Sequence, residues 1–275
     1  MNYRWLLFGL LYLFIGCELT PKQPFQPQLV VHCLLHTNEN QVQARVNRSY
    51  KLEEDYQPIF PGVELQIAGP DGVVDFQYVA GDSYRTVQPV QINEQDTWFL
   101  QAVKLGFDTV QAKTVIAGGF EILSPLPGDT VSSRDSMVWT RSRGSKGYYL
   151  SFRRIDLQDT FYLDALIPND SFDLSYDSLR VRIPNMLFLI LVAPPPESAP
   201  KLCTLRVWAL DTNYYDWVRG AAGGGSVRLN HLNGGLGVFG SAVERTVPVW
   251  VRADSGPARR TTNWDIQPFG YRHRN

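Results

Sequence analysis

Clustered basic charge is missing from this chain. Its 26 Lys and Arg face 27 Asp and Glu, and without residues 1–16, which hold one Arg and no acid, the count is 25 against 27. Nucleic acid and anionic membrane surfaces both demand grouped cations, so neither is an expected partner. Arg259, Arg260, Arg272, His273 and Arg274 are too few and too scattered to change that, and they read as a solvated tail. Catalytic signatures are missing as well: no G-x-S-x-G, H-E-x-x-H or C-x-x-C occurs. Ser241 follows Gly240 but lacks the strand–elbow–helix setting of a hydrolase nucleophile. No catalytic residue and no cofactor is expected. Gly and Pro, at 22 and 18, lie near average usage, which excludes a low-complexity chain. The longest apolar stretch, Trp5 to Ile15, is about a dozen residues, against the roughly 20 that a membrane-spanning helix needs.

That stretch is nevertheless the most informative feature. Arg4 supplies a positive start, the apolar run follows, and Gly16 stands directly before Cys17. This is the order of a secretory signal peptide. The small-residue-then-Cys junction resembles the lipobox of bacterial lipoproteins, which implies cleavage before Cys17 and acylation of its thiol. A retained single-span anchor is the second reading. Residues 17–28, with three prolines and no periodicity, read as a tether.

Two β-domains are expected downstream. Leu29–His36 alternates strictly, Thr37–Asn40 is a turn cluster, and alternation resumes at Gln41. Val63–Ala68 is closed by the hairpin signal Gly69-Pro70-Asp71-Gly72. Short strands at roughly ten-residue spacing continue to Ala117, which predicts a first sandwich over 29–117. A second sandwich is expected over 119–251. Asp211-Thr212 is an N-cap signal for one short helix, 213–219, ended by Gly220. Residues 252–275 lack a period and read as a polar tail. Cys33 and Cys203 sit in phase with the apolar face of strand-like segments. An oxidising compartment permits a bridge between them, but buried thiols behaving as small hydrophobes are the favoured reading.

The order Ser124-Pro125, Gly128-Asp129, Trp139, Tyr148-x-Leu150-x-Phe152 within the Gly147-Tyr-Tyr-Leu-Ser-Phe-Arg strand resembles the opening of a fibronectin type III or similar immunoglobulin-like domain, in which an early core Trp packs on the next strand. The C-terminal third, Leu210-Asp-Thr-Asn-Tyr-Tyr-Asp-Trp-Val-Arg219 followed by Asn233-Gly-Gly-Leu-Gly-Val-Phe-Gly-Ser-Ala242, resembles the ending of outer-membrane lipoproteins that carry the domain of unknown function 4249. The resemblance covers about residues 17–251. It departs at His32 and Cys33, where those proteins have small or acidic residues. It implies an all-β fold of two tandem immunoglobulin-like or fibronectin type III-like sandwiches. It also implies a lipid anchor in the bacterial outer membrane, on the periplasmic or cell-surface face, and a TonB-dependent receptor as envelope partner. It offers no catalytic residue.

Four patterns invite chemistry. Gly235-x-Gly237-x-x-Gly240 matches a dinucleotide fingerprint, but no βαβ unit surrounds it, so the glycines read as turn and close-approach positions. His32 and His36 would share a metal on a helix, yet on a strand they stand about 13 Å apart, too far for one zinc. Asp156, Asp159, Asp164, Asp170, Asp173 and Asp177 lack calcium-loop spacing and read as a solvated face. Tyr214, Tyr215 and Trp217 are the candidate interaction surface; the competing reading packs the Tyr214, Trp217, Val218 stripe onto the second sandwich. The function expected is therefore a non-enzymatic binding or accessory module. A surface hydrolase acting on polysaccharide or peptide is the alternative, recognisable by a deep pocket with convergent acids.

Overall fold

Strand β1 (Leu29–His36) sets the plan of the molecule. Leu29, Val31, Cys33 and Leu35 are fully buried, while Val30, His32, Leu34 and His36 stay half-exposed on the other face, as a period of two requires. The structure is a computed structural model, and it describes residues 24–132, 134–154, 162–169, 176–182, 199–222, 230–252 and 265–272.

β2 (Gln43–Arg48), β3 (Glu64–Gly69), β4 (Gly72–Ala80), β5 (Ser83–Thr86), β6 (Thr97–Val103) and β7 (Val110–Val115) complete the first sandwich. Its sheets are β1-β2-β5-β4 and β4-β3-β6-β7. β4 belongs to both: Gly72–Asp75 pair with β3, and Phe76–Ala80 pair with β5. The hairpin joins β3 to β4 at Gly69 opposite Gly72, whose φ of 117° only glycine adopts readily. Trp98 and Tyr84 fill the core between the sheets.

The second sandwich follows with β8 (Ile122–Ser124), β9 (Thr130–Val131), β10 (Ser136–Thr140), β11 (Gly147–Arg154), β12 (Tyr162–Pro168), β13 (Tyr176–Arg182), β14 (Lys201–Leu210), β15 (Leu236–Val251) and β16 (Asp265–Arg272). One sheet runs β12-β11-β14-β15, with β9 beside β15, and the other runs β16-β13-β10-β8. The buried Trp139 on β10 meets Tyr148 on β11 edge to face, ring centroids 5.4 Å apart. Tyr148 accepts a hydrogen bond from the Ser142 backbone N–H at 2.7 Å. The fold is thus all-β: two tandem immunoglobulin-like sandwiches with, among the described residues, one short helix, α1 (Thr212–Ala222), three residues longer at its C-terminal end and one at its start than the sequence predicts.

Two features depart from the expected domain plan. The 16-residue β15 serves both sandwiches. Leu236–Ala242 pair in parallel with β1, and Ala242–Val251 pair antiparallel with β14. Residues 236–242 therefore belong with the first sandwich, so a second unit spanning all of 119–251 does not describe the chain. Alternation identifies a strand but carries no information about the edge it joins. A Cβ on Gly237, at φ 120°, would lie 2.0 Å from the Val31 carbonyl oxygen, so this parallel seam closes only on glycine. Pro248 sits opposite Thr204 on β14, and its carbonyl accepts from the Gly128 N–H at 2.8 Å. The ring therefore faces away from β14, where its missing donor is tolerated.

The second departure is at the C-terminus. Residues 265–272 are not tail but the edge strand β16, antiparallel to β13. A register shift between Tyr176 and Ser178, and Pro268 within the strand, break the period that would have revealed it. Pro is acceptable there because β16 ends its sheet. Across the junction of the sandwiches, Arg245 pairs with Glu94 at 3.0 Å and donates to the Phe120 carbonyl, also at 3.0 Å.

Candidate functional site

Asp211 starts the helix and fixes where it lies. Its Oδ1 accepts the backbone N–H groups of Tyr214 at 2.9 Å and Ser241 at 3.0 Å, the first being the N-cap bond that the Asp-Thr pair foretold. Its Oδ2 accepts the Thr114 hydroxyl from β7. The carboxyl is 4% exposed, and desolvation raises its pKa despite these donors, which act to lower it. Asn213 Nδ2 adds bonds to the Lys113 carbonyl at 2.7 Å and the Phe239 carbonyl at 2.8 Å. Gly240 lets the helix begin directly on β15: a Cβ there would come within 2.8 Å of Tyr214. The first turn of α1 is thereby tied to both sandwiches.

From that seat the aromatics divide. Tyr215 is 3% exposed and clusters with Leu210 and Ala242 over Gly147, so it is removed from the candidate surface. Its place on the helix puts it a hundred degrees from its neighbour. Tyr214 packs against the edge of that cluster and, with Trp217, also borders the outer side of β1. The Trp217 ring meets His32 edge to face, centroids 5.0 Å apart, and burial raises the Tyr214 pKa.

Between α1 and the open sheet lies a cleft of about 830 Å³. Tyr214, Trp217 and Val218 form one wall, and the turn at Asn38–Gln41 forms the other. The floor is a row that crosses four strands in register: Val238 on β15, His32 on β1, Arg45 on β2 and Ser83 on β5. Leu34, His36 and Gln43 flank it. The sequence-derived His32, His36, Tyr214 and Trp217 thus converge, although a pattern reading had kept the histidines apart from the aromatics. Gln43 and Arg45 were missed. Their outward phase is legible, but polar alternation looks the same on any solvated face.

Other candidates resolve plainly. His32 and His36 share one face of β1 as strand residues, and among the described residues no three His, Cys, Asp or Glu side chains come together as a metal site. Asp156, Asp159, Asp170 and Asp173 lie outside the described residues; Asp164 falls on β12 and Asp177 on β13. Cys17 also lies outside them. Gly235, Gly237 and Gly240 lead into and along β15, so the fingerprint is a strand seam. Ser241 is fully buried, its N–H held by Asp211 and its hydroxyl 3.4 Å from the Val115 carbonyl. Cys33 and Cys203 are buried thiols outside any disulfide, and desolvation pushes the Cys33 pKa up to about 12. Among the described residues no helix is long and apolar enough to cross a membrane.

No protein-family model matches the chain, and no curated protein matches it either. Solved structures with some likeness include DIP-gamma IG1+IG2, at 8% identity over 84% of this chain and 99% of that one, TM-score 0.21. The tandem Ig repeats of Dlar match at 8% identity over 82% and 97%, TM-score 0.24. The BSP domain of a biofilm associated protein matches at 14% identity over 84% of this chain and 30% of that one, TM-score 0.23. Similarities of this size carry no argument about activity or partner.

Proposed function

We propose that the protein is a non-enzymatic binding module of the bacterial cell envelope, anchored to the outer membrane by lipid on Cys17 and working beside a TonB-dependent receptor. The observation that carries the binding role is the α1 cleft, whose aromatic wall faces a polar floor and whose volume falls in the range of ligand sites. A glycoside hydrolase works with two carboxyl groups across the scissile bond, and among the described residues lining the cleft Glu39 is the one carboxylate. The Cys33 thiol, protonated and buried, is unsuited to nucleophilic attack. Sequence supports the address: Arg4, the apolar run and Gly16-Cys17.

The test is affinity capture of the full chain from detergent-solubilised envelope, with Cys17→Ala alongside. The wild type partitions with membranes and brings a TonB-dependent receptor down in stoichiometric amount, while Cys17→Ala is released or left uncleaved. Unchanged processing and partitioning of Cys17→Ala, or recovery of the wild type alone, would overturn the reading.

A further inference from the structure

We infer that the ligand of the α1 cleft is an oligosaccharide, an assignment that rests on the binding role proposed above. The floor leaves little backbone to read. β1 lies between β15 and β2, and β2 between β1 and β5. The turn is equally occupied: the Asn40 carbonyl accepts from Val90 N–H, the Val42 carbonyl accepts from Thr86 N–H, and Val42 N–H donates to the Thr86 hydroxyl. An extended peptide added as a new strand needs a free edge, and the cleft floor has none. Recognition there must come from side chains.

Those side chains suit vicinal hydroxyls. Gln43 and Arg45 point outward from β2 and are exposed, and neither has a side-chain hydrogen bond or ion pair among the described residues. A carboxamide and a guanidinium each present planar, paired groups that contact two neighbouring hydroxyls at once. They are spaced by two strand residues, about 6.6 Å, a distance on the scale of adjoining sugar units. Asn40 and Gln41 add further amides at the turn.

The opposite wall supplies the complementary half. Tyr214 and Trp217 are half-buried, with the Trp217 ring braced by His32. The face of an aromatic ring is electron-rich, and the C–H bonds on one side of a pyranose, polarised by their oxygens, lie well against it. Charge favours a neutral or mildly acidic chain: Arg45 and Glu39 are the permanent charges lining the cleft, with His32 and His36 beside them. A polyanion would require a basic cluster, and the described residues lining the cleft include one Arg and no Lys.

The experiment screens the full chain in detergent against an array of plant, bacterial and host polysaccharides, then titrates the best binder as an oligosaccharide calorimetrically. Gln43→Ala and Arg45→Ala are the primary variants, since both residues are exposed and their loss leaves the fold intact; Trp217→Ala is the third. The expected result is saccharide binding that each variant weakens by about tenfold, as loss of one well-placed contact does. Saccharide binding that Gln43→Ala, Arg45→Ala and Trp217→Ala all leave unchanged overturns the assignment. So does an array on which nothing binds, and there the capture experiment separates two failures. If receptor capture survives in the wild type, the ligand class is wrong while the binding module stands. If capture is also lost, both readings fall.

Discussion

Thr114 on β7 and Asp211 at the head of α1 are hydrogen-bonded, hydroxyl to carboxylate, across 97 positions of chain and from one sandwich to the other. The same carboxyl holds the N–H groups of Tyr214 and Ser241. One buried side chain therefore secures a helix start, the middle of β15 and the outer strand of the first sandwich.

Asp211→Ala is expected to cost about 2–4 kcal/mol, combining a lost N-cap with a buried donor left without a partner. Asp211→Asn keeps an acceptor for both N–H groups and should cost under about 1 kcal/mol. Chemical denaturation of the two variants checks this; equal destabilisation would show that the negative charge itself is needed. The pH sign is fixed by the raised pKa. The protonated carboxyl is favoured in the fold, so its contribution is fully present below the ordinary value of 3.8 and is lost as pH rises through the higher folded pKa. Asp211→Asn removes that slope from the stability profile.

Gly237→Ala should cost about 3–5 kcal/mol, because it adds an overlap with the Val31 carbonyl to a strained φ. Gly72→Ala is the control: its φ of 117° is close to the 120° of Gly237, but nothing lies within 4 Å, so strain alone applies, about 1–3 kcal/mol. Similar losses in both would mean that the β1–β15 seam tolerates a methyl group.

Cys33 should resist alkylation at pH 8 until the chain unfolds, since its thiol pKa stands near 12. Folded stability gains from the protonated thiol up to the ordinary value of 9.0 and loses that gain as pH climbs toward 12. Mass spectrometry after iodoacetamide, with and without denaturant, reads this directly. Rapid modification in native buffer would contradict the burial.

Ending the chain at Arg252 removes β16 and uncovers the edge of β13, and exposed edges invite association. Soluble yield and monodispersity in size-exclusion chromatography are expected to fall. A monodisperse product with the wild-type Tm would show that β16 contributes nothing.

Much of this architecture was readable along the chain. β1 alternates without a break, Gly69–Gly72 marks the β3–β4 hairpin, Trp139 announces the second core, and Asp211-Thr212 announces α1. The partners of β15 were not readable, because hydrophobic alternation fixes which face is buried and says nothing about which strand lies alongside. β16 was hidden by Pro268 and by the irregular register at Tyr176. The site was half visible. Tyr214, Trp217 and Val218 formed a recognisable stripe, and it touches both sandwiches: Tyr214 packs against Leu210 and Ala242, while Trp217 meets His32 on β1. Gln43 and Arg45 gained meaning only when α1 was placed over their sheet.

The shared strand also decides how load travels through the molecule. A pull on the chain ahead of Leu29 enters β1 from its N-terminal end. There the ladder to β15 runs parallel over Val30–His36 and Leu236–Ala242, so its bonds resist together in shear instead of opening one after another. Past Ala242 the same strand carries the strain into β14. No loose linker lies on that path to yield first, so the two sandwiches bear tension as a single mechanical element.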